Sequence, residues 1–276
     1  MKPVLCYKPP SPPLRGWVRQ HQVVQLLFDA SEPVPVKPYW PRPAAALAFY
    51  PRSLERVSGP LTAPVIKPRA ALIGQPTTLT HRQGGHDFWV YQIEFDPGAL
   101  HRLLGLPVSM LTDDAIDAEA VFPAPIRSLV SAVTEAQDAD TMIALAEAYL
   151  LGLAANVSRP PHPLDWAAAR LADGSARSLD RLARQAGVSP KQFYRVFRDR
   201  MGVSPKLFAR IGRFDRLVRA RNAGPDLDWL SLAIDAGYYD HQHMARDFRE
   251  LCQLSPSGFY ALEQASPERQ AGLVER

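Results

Sequence analysis

The chain reads "LARQAGVSPKQFYRVFRDRMGVSP" at 182–205 and "LAIDAGYYDHQHMARDFRELCQLSP" at 232–256. The two stretches are one pattern written twice. Leu182-Ala183 stands against Leu232-Ala233, and Ala186-Gly187 against Ala236-Gly237. One extra residue follows in the second copy. Phe193 then matches Met244, Arg195 matches Arg246, Phe197 matches Phe248, Arg198 matches Arg249, and Ser204-Pro205 matches Ser255-Pro256. Each copy predicts a helix, a tight turn carrying a glycine, and a second helix crossing the first, which is the helix-turn-helix unit.

Helical geometry sorts the second helix of each copy into two faces. At about 100° per residue, Phe193, Val196, Phe197 and Arg200 gather on one side. Lys191, Arg195 and Arg198 gather on the opposite side, flanked by Gln192 and Tyr194. In the second copy Met244, Phe248 and Leu251 turn inward. Gln242, Arg246 and Arg249 turn outward, flanked by His243 and Ala245. Such an outward set suits the DNA major groove, where Arg and Lys donate to guanine and Gln pairs with adenine. Ser189 and Asp240 precede these helices as N-caps. The alternative use of such faces is two amphipathic helices with solvated basic surfaces, and the duplication of the whole unit argues against it.

The charge distribution points the same way. Net charge is only +4, with pI near 9.1. Between Arg177 and Arg221, however, thirteen basic residues face three acidic ones, a local net of +10 that leaves the rest of the chain negative. Such a field attracts a polyanion.

On these motifs, "SLDRLARQAGVSPKQFYRVFRDRMGVSPKLF" and "AIDAGYYDHQHMARDFRELCQLSPSGFYAL", residues 163–262 resemble the DNA-binding domain of the AraC/XylS family of bacterial transcription regulators. The resemblance implies two helix-turn-helix units joined by a linker helix at 205–223, reading two adjacent major-groove segments of one duplex. By position it carries the base-contacting role to Lys191, Gln192, Tyr194 and Arg195, and to His241, Gln242, Ala245 and Arg246. The chain departs from the family pattern at Gln253, where glycine is usual, and at "YYD", 238–240. A left-handed residue that is not glycine costs about 1 kcal/mol.

The first 125 residues differ in kind, holding nineteen of the 27 prolines. Proline suits turns and strand ends, not helices. In "DFWVYQIEF", 87–95, Trp89, Tyr91, Ile93 and Phe95 share one face of a predicted strand. Residues 45–50 and 63–74 predict further short strands, and 98–106 one helix. Residues 125–156 are Ala/Leu-rich with helical spacing, and "SRPPHP", 158–163, breaks it. The stretch 93–114 resembles the sensor domain that precedes many such DNA-binding domains, which implies a cupin-like half-barrel.

The expected organisation is thus a multidomain α+β chain. A β-rich sensor or dimerisation domain spans 1–124, a helical segment and linker 125–159, and an all-α domain with two helix-turn-helix motifs 160–264. The expected partners are double-stranded DNA, a small effector and a second copy of the chain. Trp89, Tyr91 and Phe95 are the candidate effector residues.

Other classes are disfavoured. The alternative, a cupin-type enzyme or small-molecule-binding protein with an accessory helical domain, needs a catalytic set. No glycine-rich phosphate loop, nucleophile elbow or paired carboxylate is present. His81 and His86 lack a third metal ligand at fixed spacing, so neither metal nor cofactor is expected. Cys6 and Cys252, far apart, do not make a disulfide scaffold and suit a reducing compartment. No apolar run reaches the roughly 20 residues of a membrane span. The N-terminus lacks a signal-peptide core. The expected location is the cytoplasm.

Overall fold

The alternating stretch at 87–95 forms the central strand of the β-rich half in the computed structural model, which describes residues 3–59, 63–176, 178–224 and 227–274. In chain order the strands are β1 (Val4–Lys8), β2 (Val18–Leu27), β3 (Lys37–Tyr39), β4 (Ala46–Phe49), β5 (Arg56–Ser58), β6 (Val65–Ile66), β7 (Ala70–Ile73), β8 (Thr80–Gln83), β9 (Asp87–Phe95) and β10 (Ala115–Asp117). One antiparallel sheet has the order β1-β2-β9-β4-β7-β10, and a second the order β3-β8-β5-β6. β9 pairs with β2 from Val18 opposite Phe95 to Leu27 opposite Asp87, with an irregularity between Val18 and Gln20.

Alternation along β9 decides what each face meets. Trp89, Tyr91, Ile93 and Phe95 are buried on one face. They form a core with helices α1 (Ala99–Leu104), α2 (Ile126–Glu135) and α3 (Ala139–Ala155). The other face turns to the second sheet, where Gln92 Nε2 donates to Tyr39 Oη at 3.3 Å. The helical spacing at 125–156 resolves into two helices. Ala136 is extended, with ψ 141°, and Asp138 caps α3 by accepting from Thr141 N at 2.8 Å. Ile126, Leu129, Val133, Met142, Ala146 and Leu150 all point into the core under the sheet. That face is therefore occupied within the chain.

The remainder is helical: α4 (Pro163–Ala172), α5 (Leu179–Gln185), α6 (Pro190–Met201), α7 (Pro205–Ala223), α8 (Trp229–Ala236), α9 (His241–Cys252), α10 (Pro256–Gln264) and α11 (Pro267–Gln270). Two cores divide it. Leu164, Leu171, Leu182, Phe193, Phe197 and Phe208 make the first. Ile211, Phe214, Leu217, Met244, Phe248 and Phe259 belong to the second.

The halves are docked on one another. Trp40 belongs to the second helical core and donates its indole N–H to Asp215 Oδ1 at 2.8 Å. Leu79 N donates to Leu251 O at 2.8 Å, and Thr112 Oγ1 to Gly202 O at 2.8 Å. Among the described residues no helix is long and apolar enough to cross a membrane.

One glycine is fixed by close approach. A Cβ on Gly212, in α7, would stand 2.8 Å from the carbonyl oxygen of Ala172, the last residue of α4. We expect Gly212→Ala to destabilise the chain by about 1–3 kcal/mol, because backbone must move to admit the methyl. Urea unfolding of both proteins measures it, and an unchanged midpoint would refute the contact.

Candidate nucleic-acid interface

The two turns close in the same way. Gly187 (φ 67°) bonds back to Arg184 O at 3.1 Å, and Val188 N to Ala183 O at 3.1 Å. Gly237 (φ 94°) bonds back to Ile234 O, and Tyr238 N to Ala233 O, both at 2.9 Å. Positive φ at the glycine lets the carbonyls that end one helix be satisfied while the chain reverses toward the next. Ser189 Oγ then accepts from Gln192 N at 3.3 Å, and Asp240 Oδ1 from His243 N at 2.7 Å. The caps start α6 and α9 where the sequence places them.

Buried aromatic rings fix how each recognition helix is rolled. Phe193 and Phe197 are almost wholly buried, and Phe197 meets Phe208 edge-on at 5.5 Å. In the second unit Phe248 meets Phe214 edge-on at 4.7 Å. With those rings inward, Lys191, Gln192, Arg195 and Arg198 are exposed on α6. His241, Gln242, Arg246 and Arg249 are exposed on α9. Two expected positions differ. Tyr194 is half-buried and packs against the first core. Ala245 is buried, with Arg249 Nε donating back to its carbonyl at 3.3 Å. A methyl one turn before Phe248 and Arg249 is too short to clear those neighbours, so the second face is narrower than expected.

The basic run of 177–221 separates into two populations. Arg177 lies outside the described residues. Arg200 is buried and grips Asp165 with two bonds, at 2.7 and 2.6 Å, pinning α6 to α4. Arg210 and Arg213 both reach the buried carboxylate of Asp247, at 2.8 and 2.9 Å, tying α7 to α9. Arg210 also pairs with Glu250 at 2.6 Å, and Arg213 lies over the Tyr238 ring at 4.5 Å. Burial alone would lower the Arg210 pKa, but its bonds to the two carboxylates outweigh that and raise it. Arg210 and Arg213 are thereby committed to carboxylates of the protein itself. Arg216 donates to the carbonyls of Ala172 and Ala236, and Arg219 pairs with Asp215 at 2.9 Å.

Lys191, Arg195, Arg198 and Lys206 belong to the other population, and Arg246 on α9 joins them. They are exposed, and none of the ion pairs among the described residues engages them. An open groove of about 680 Å³ lies between the units, lined by Lys206, Arg210, Arg213, Arg216, Tyr238 and Tyr239. The acids Asp165 and Asp247, which carry the scaffold, escape sequence reasoning because they register there only as a reduction of charge. For Asp247 the signal is an acid beside the inward stripe of α9, whereas Asp165 lies on α4, outside both recognition helices.

In the β-rich half, Trp89, Tyr91 and Phe95 are core residues under α1–α3, not the lining of the cavity between the sheets. That cavity is lined from the opposite face of β9, by Val90 and Gln92, with Val24, Lys37, Tyr39 and Arg82. A strand alternates, so an aromatic face committed to helices cannot also face the second sheet. Among the described residues no three His, Cys, Asp or Glu side chains gather where a metal ion would fit.

Two crossed helices repeated on either side of a shared helix, each with an exposed basic face, define a double helix-turn-helix DNA-binding protein. Residues 182–261 match a family model described as a helix-turn-helix domain, and residues 8–117 one described as a domain of unknown function, DUF6597. The fold is similar to ToxT from Vibrio cholerae, at 9% identity and a TM-score of 0.50, over 88% of this chain and 98% of that one. A second structure, unsaturated fatty acid bound wild-type ToxT from Vibrio cholerae strain SCE256, aligns at 9% identity and a TM-score of 0.51, over 93% of this chain and 97% of that one. No curated protein sequence matches the chain. The chain carries a helix-turn-helix domain and is a DNA-binding transcription regulator.

Gln253 follows α9 in the left-handed region, at φ 58° and ψ 25°, where Gly202 follows α6 at φ 89°. We expect Gln253→Gly to stabilise the chain by about 0.5–1 kcal/mol, the relief of the left-handed side chain less the added freedom of the unfolded glycine. Asp247→Ala should destabilise by about 1–3 kcal/mol, because two half-buried guanidinium groups lose their shared carboxylate. Thermal and urea unfolding read both changes, and opposite signs would overturn the two readings.

Proposed function

We propose that α6 and α9 enter successive major-groove segments on one face of an operator. Lys191, Gln192, Arg195 and Arg198 read the first segment, and His241, Gln242, Arg246 and Arg249 the second. The observation that carries this reading is that the exposed, unpaired cations occupy equivalent faces of two helices held in register by α7. Lys206, in the groove between the units, contacts phosphate. Residues 160–264 act as the DNA-binding unit, and 1–124 with 125–159 as the sensing unit, through which two protomers pair as a homodimer.

The cavity between the sheets takes a small organic effector. What supports this is its place at the junction of the two sheets and the helical half, and its mix of apolar and charged lining, with Lys37 and Arg82 beside Glu55 and Glu268. A protein of the same fold holds an unsaturated fatty acid.

Arg195→Ala is expected to cost about 1–3 kcal/mol at one base pair and to relax preference there. Lys206→Ala should weaken binding evenly across sequences and lower the salt slope by about one unit. Gel-shift titrations on the operator and its single-base variants, over a salt series, separate the two. Uniform weakening by Arg195→Ala, with preference intact, would remove Arg195 from base readout. Footprinting should show two protected segments about 10 bp apart per protomer.

A further inference from the structure

The two helix-turn-helix units differ in length by one residue, and the turns show which. Gly187 and Gly237 close them alike, and Val188 N and Tyr238 N bond back to the carbonyls of Ala183 and Ala233. Ser189 and Asp240 cap the recognition helices alike, accepting from Gln192 N and His243 N. Val188 passes straight to Ser189, whereas Tyr239 stands between Tyr238 and Asp240. Tyr239 is therefore the inserted residue.

Val188 and its equivalent, Tyr238, pack into the cores of their units. Tyr239 is 91% exposed, more than any other large apolar side chain among the described residues. Its ring is nevertheless held. It stacks on His243, with centroids 5.9 Å apart and planes 18° from parallel. Arg213 Nη2 stands 3.1 Å from His243 Nε2, and a guanidinium only donates, so that nitrogen accepts. The Tyr238 ring meets His243 edge-on at 5.2 Å, and Asp247 holds Arg213 at 2.9 Å. The exposed ring thus rests on fixed partners that lead back to α7 and α9. A side chain ordered before it binds loses less entropy on binding.

The ring also stands beside the face assigned to DNA. His241 and Gln242 begin α9, at the end of a recognition helix that meets base edges. A residue before the cap lies where the chain leaves the groove toward the first helix, which crosses the backbone. Tyr239 borders the open groove between the units as well, with Asp235 and the exposed Lys206. Ala245 is buried, so α9 has one reader fewer than its positions offer.

We propose that the phenol of Tyr239 donates to a backbone phosphate at the edge of the second major-groove segment, and so sets how α9 is seated there. This deepens, and rests on, the reading that α9 enters that segment. Phosphate contacts fix register and carry no sequence information directly. The phenol is neutral, so it releases no counterion, whereas Lys206 does.

The test uses the full-length protein on an operator selected in vitro, by gel-shift titration over a salt series. Tyr239→Phe keeps the ring and its stack and removes only the hydroxyl. It is expected to weaken binding about tenfold, evenly across single-base variants of the operator, with the salt slope unchanged. Neutral methylphosphonates placed singly along the backbone locate the contact. One position, at the edge of the second segment, should weaken the wild type about tenfold more than it weakens Tyr239→Phe, and the others should weaken both alike. Wild-type affinity in Tyr239→Phe, a shifted base preference, a lowered salt slope, or methylphosphonates that weaken both proteins alike at every position overturns the proposal. A tyrosine that serves a protein partner instead of DNA gives the first of these. Arg246→Ala is titrated alongside. If it too binds like the wild type, the entry of α9 into the groove fails; if it weakens binding while Tyr239→Phe does not, the phosphate contact alone fails.

Discussion

Helix α7 has to satisfy two cores at once. Phe208 packs with Phe193 and Phe197 in the first unit, while Ile211, Phe214, Leu217 and Val218 pack with Met244 and Phe248 in the second. A helix that is apolar on two sides has little surface left for its charges. Its arginines therefore lay their stems along the helices they cover and send their heads to fixed acceptors. Arg210 and Arg213 find Asp247, Arg216 finds the carbonyls that end α4 and α8, and Arg219 finds Asp215. The angle between the two recognition helices follows from this one helix, which is why a close backbone approach at Gly212 matters to both.

The same helix receives the β-rich half. Asp215 accepts from Trp40 as well as pairing with Arg219, and the Trp40 ring meets Phe259 edge-on at 6.2 Å. Trp40 follows β3, the strand that carries Lys37 and Tyr39 to the cavity. One short strand thus serves the cavity and the core beneath α9. Any shift of β3 moves a side chain buried in the DNA-binding half, so coupling between the halves needs no mobile linker.

Charge is used in two distinct ways over the same forty-five residues. Where a guanidinium is partly buried, it is matched by a carboxylate or a carbonyl and acts as scaffold. Where it is exposed and unmatched, it contributes to the field a polyanion meets. Removing one of the first kind costs stability before it costs affinity. Removing one of the second kind changes affinity in a fold that stays intact.

How much of this is legible in the chain depends on the range of the interaction. The repeat, the turn glycines, the N-caps at Ser189 and Asp240 and the inward stripes of α6 and α9 are local, and sequence periodicity alone determines them. So does the alternation of 87–95, and with it the face shared by Trp89, Tyr91 and Phe95. Which side of the sheet that face meets is not local. It depends on α1–α3 folding back over one surface, and this puts the aromatic residues in the core and leaves Val90 and Gln92 for the cavity. The split of the basic run is likewise tertiary, because Arg210 and Arg213 find Asp247 only when α7 lies across α9. The ion pair of Glu268 with Lys37 joins positions more than two hundred residues apart, and only the docking of the two halves brings those charges together.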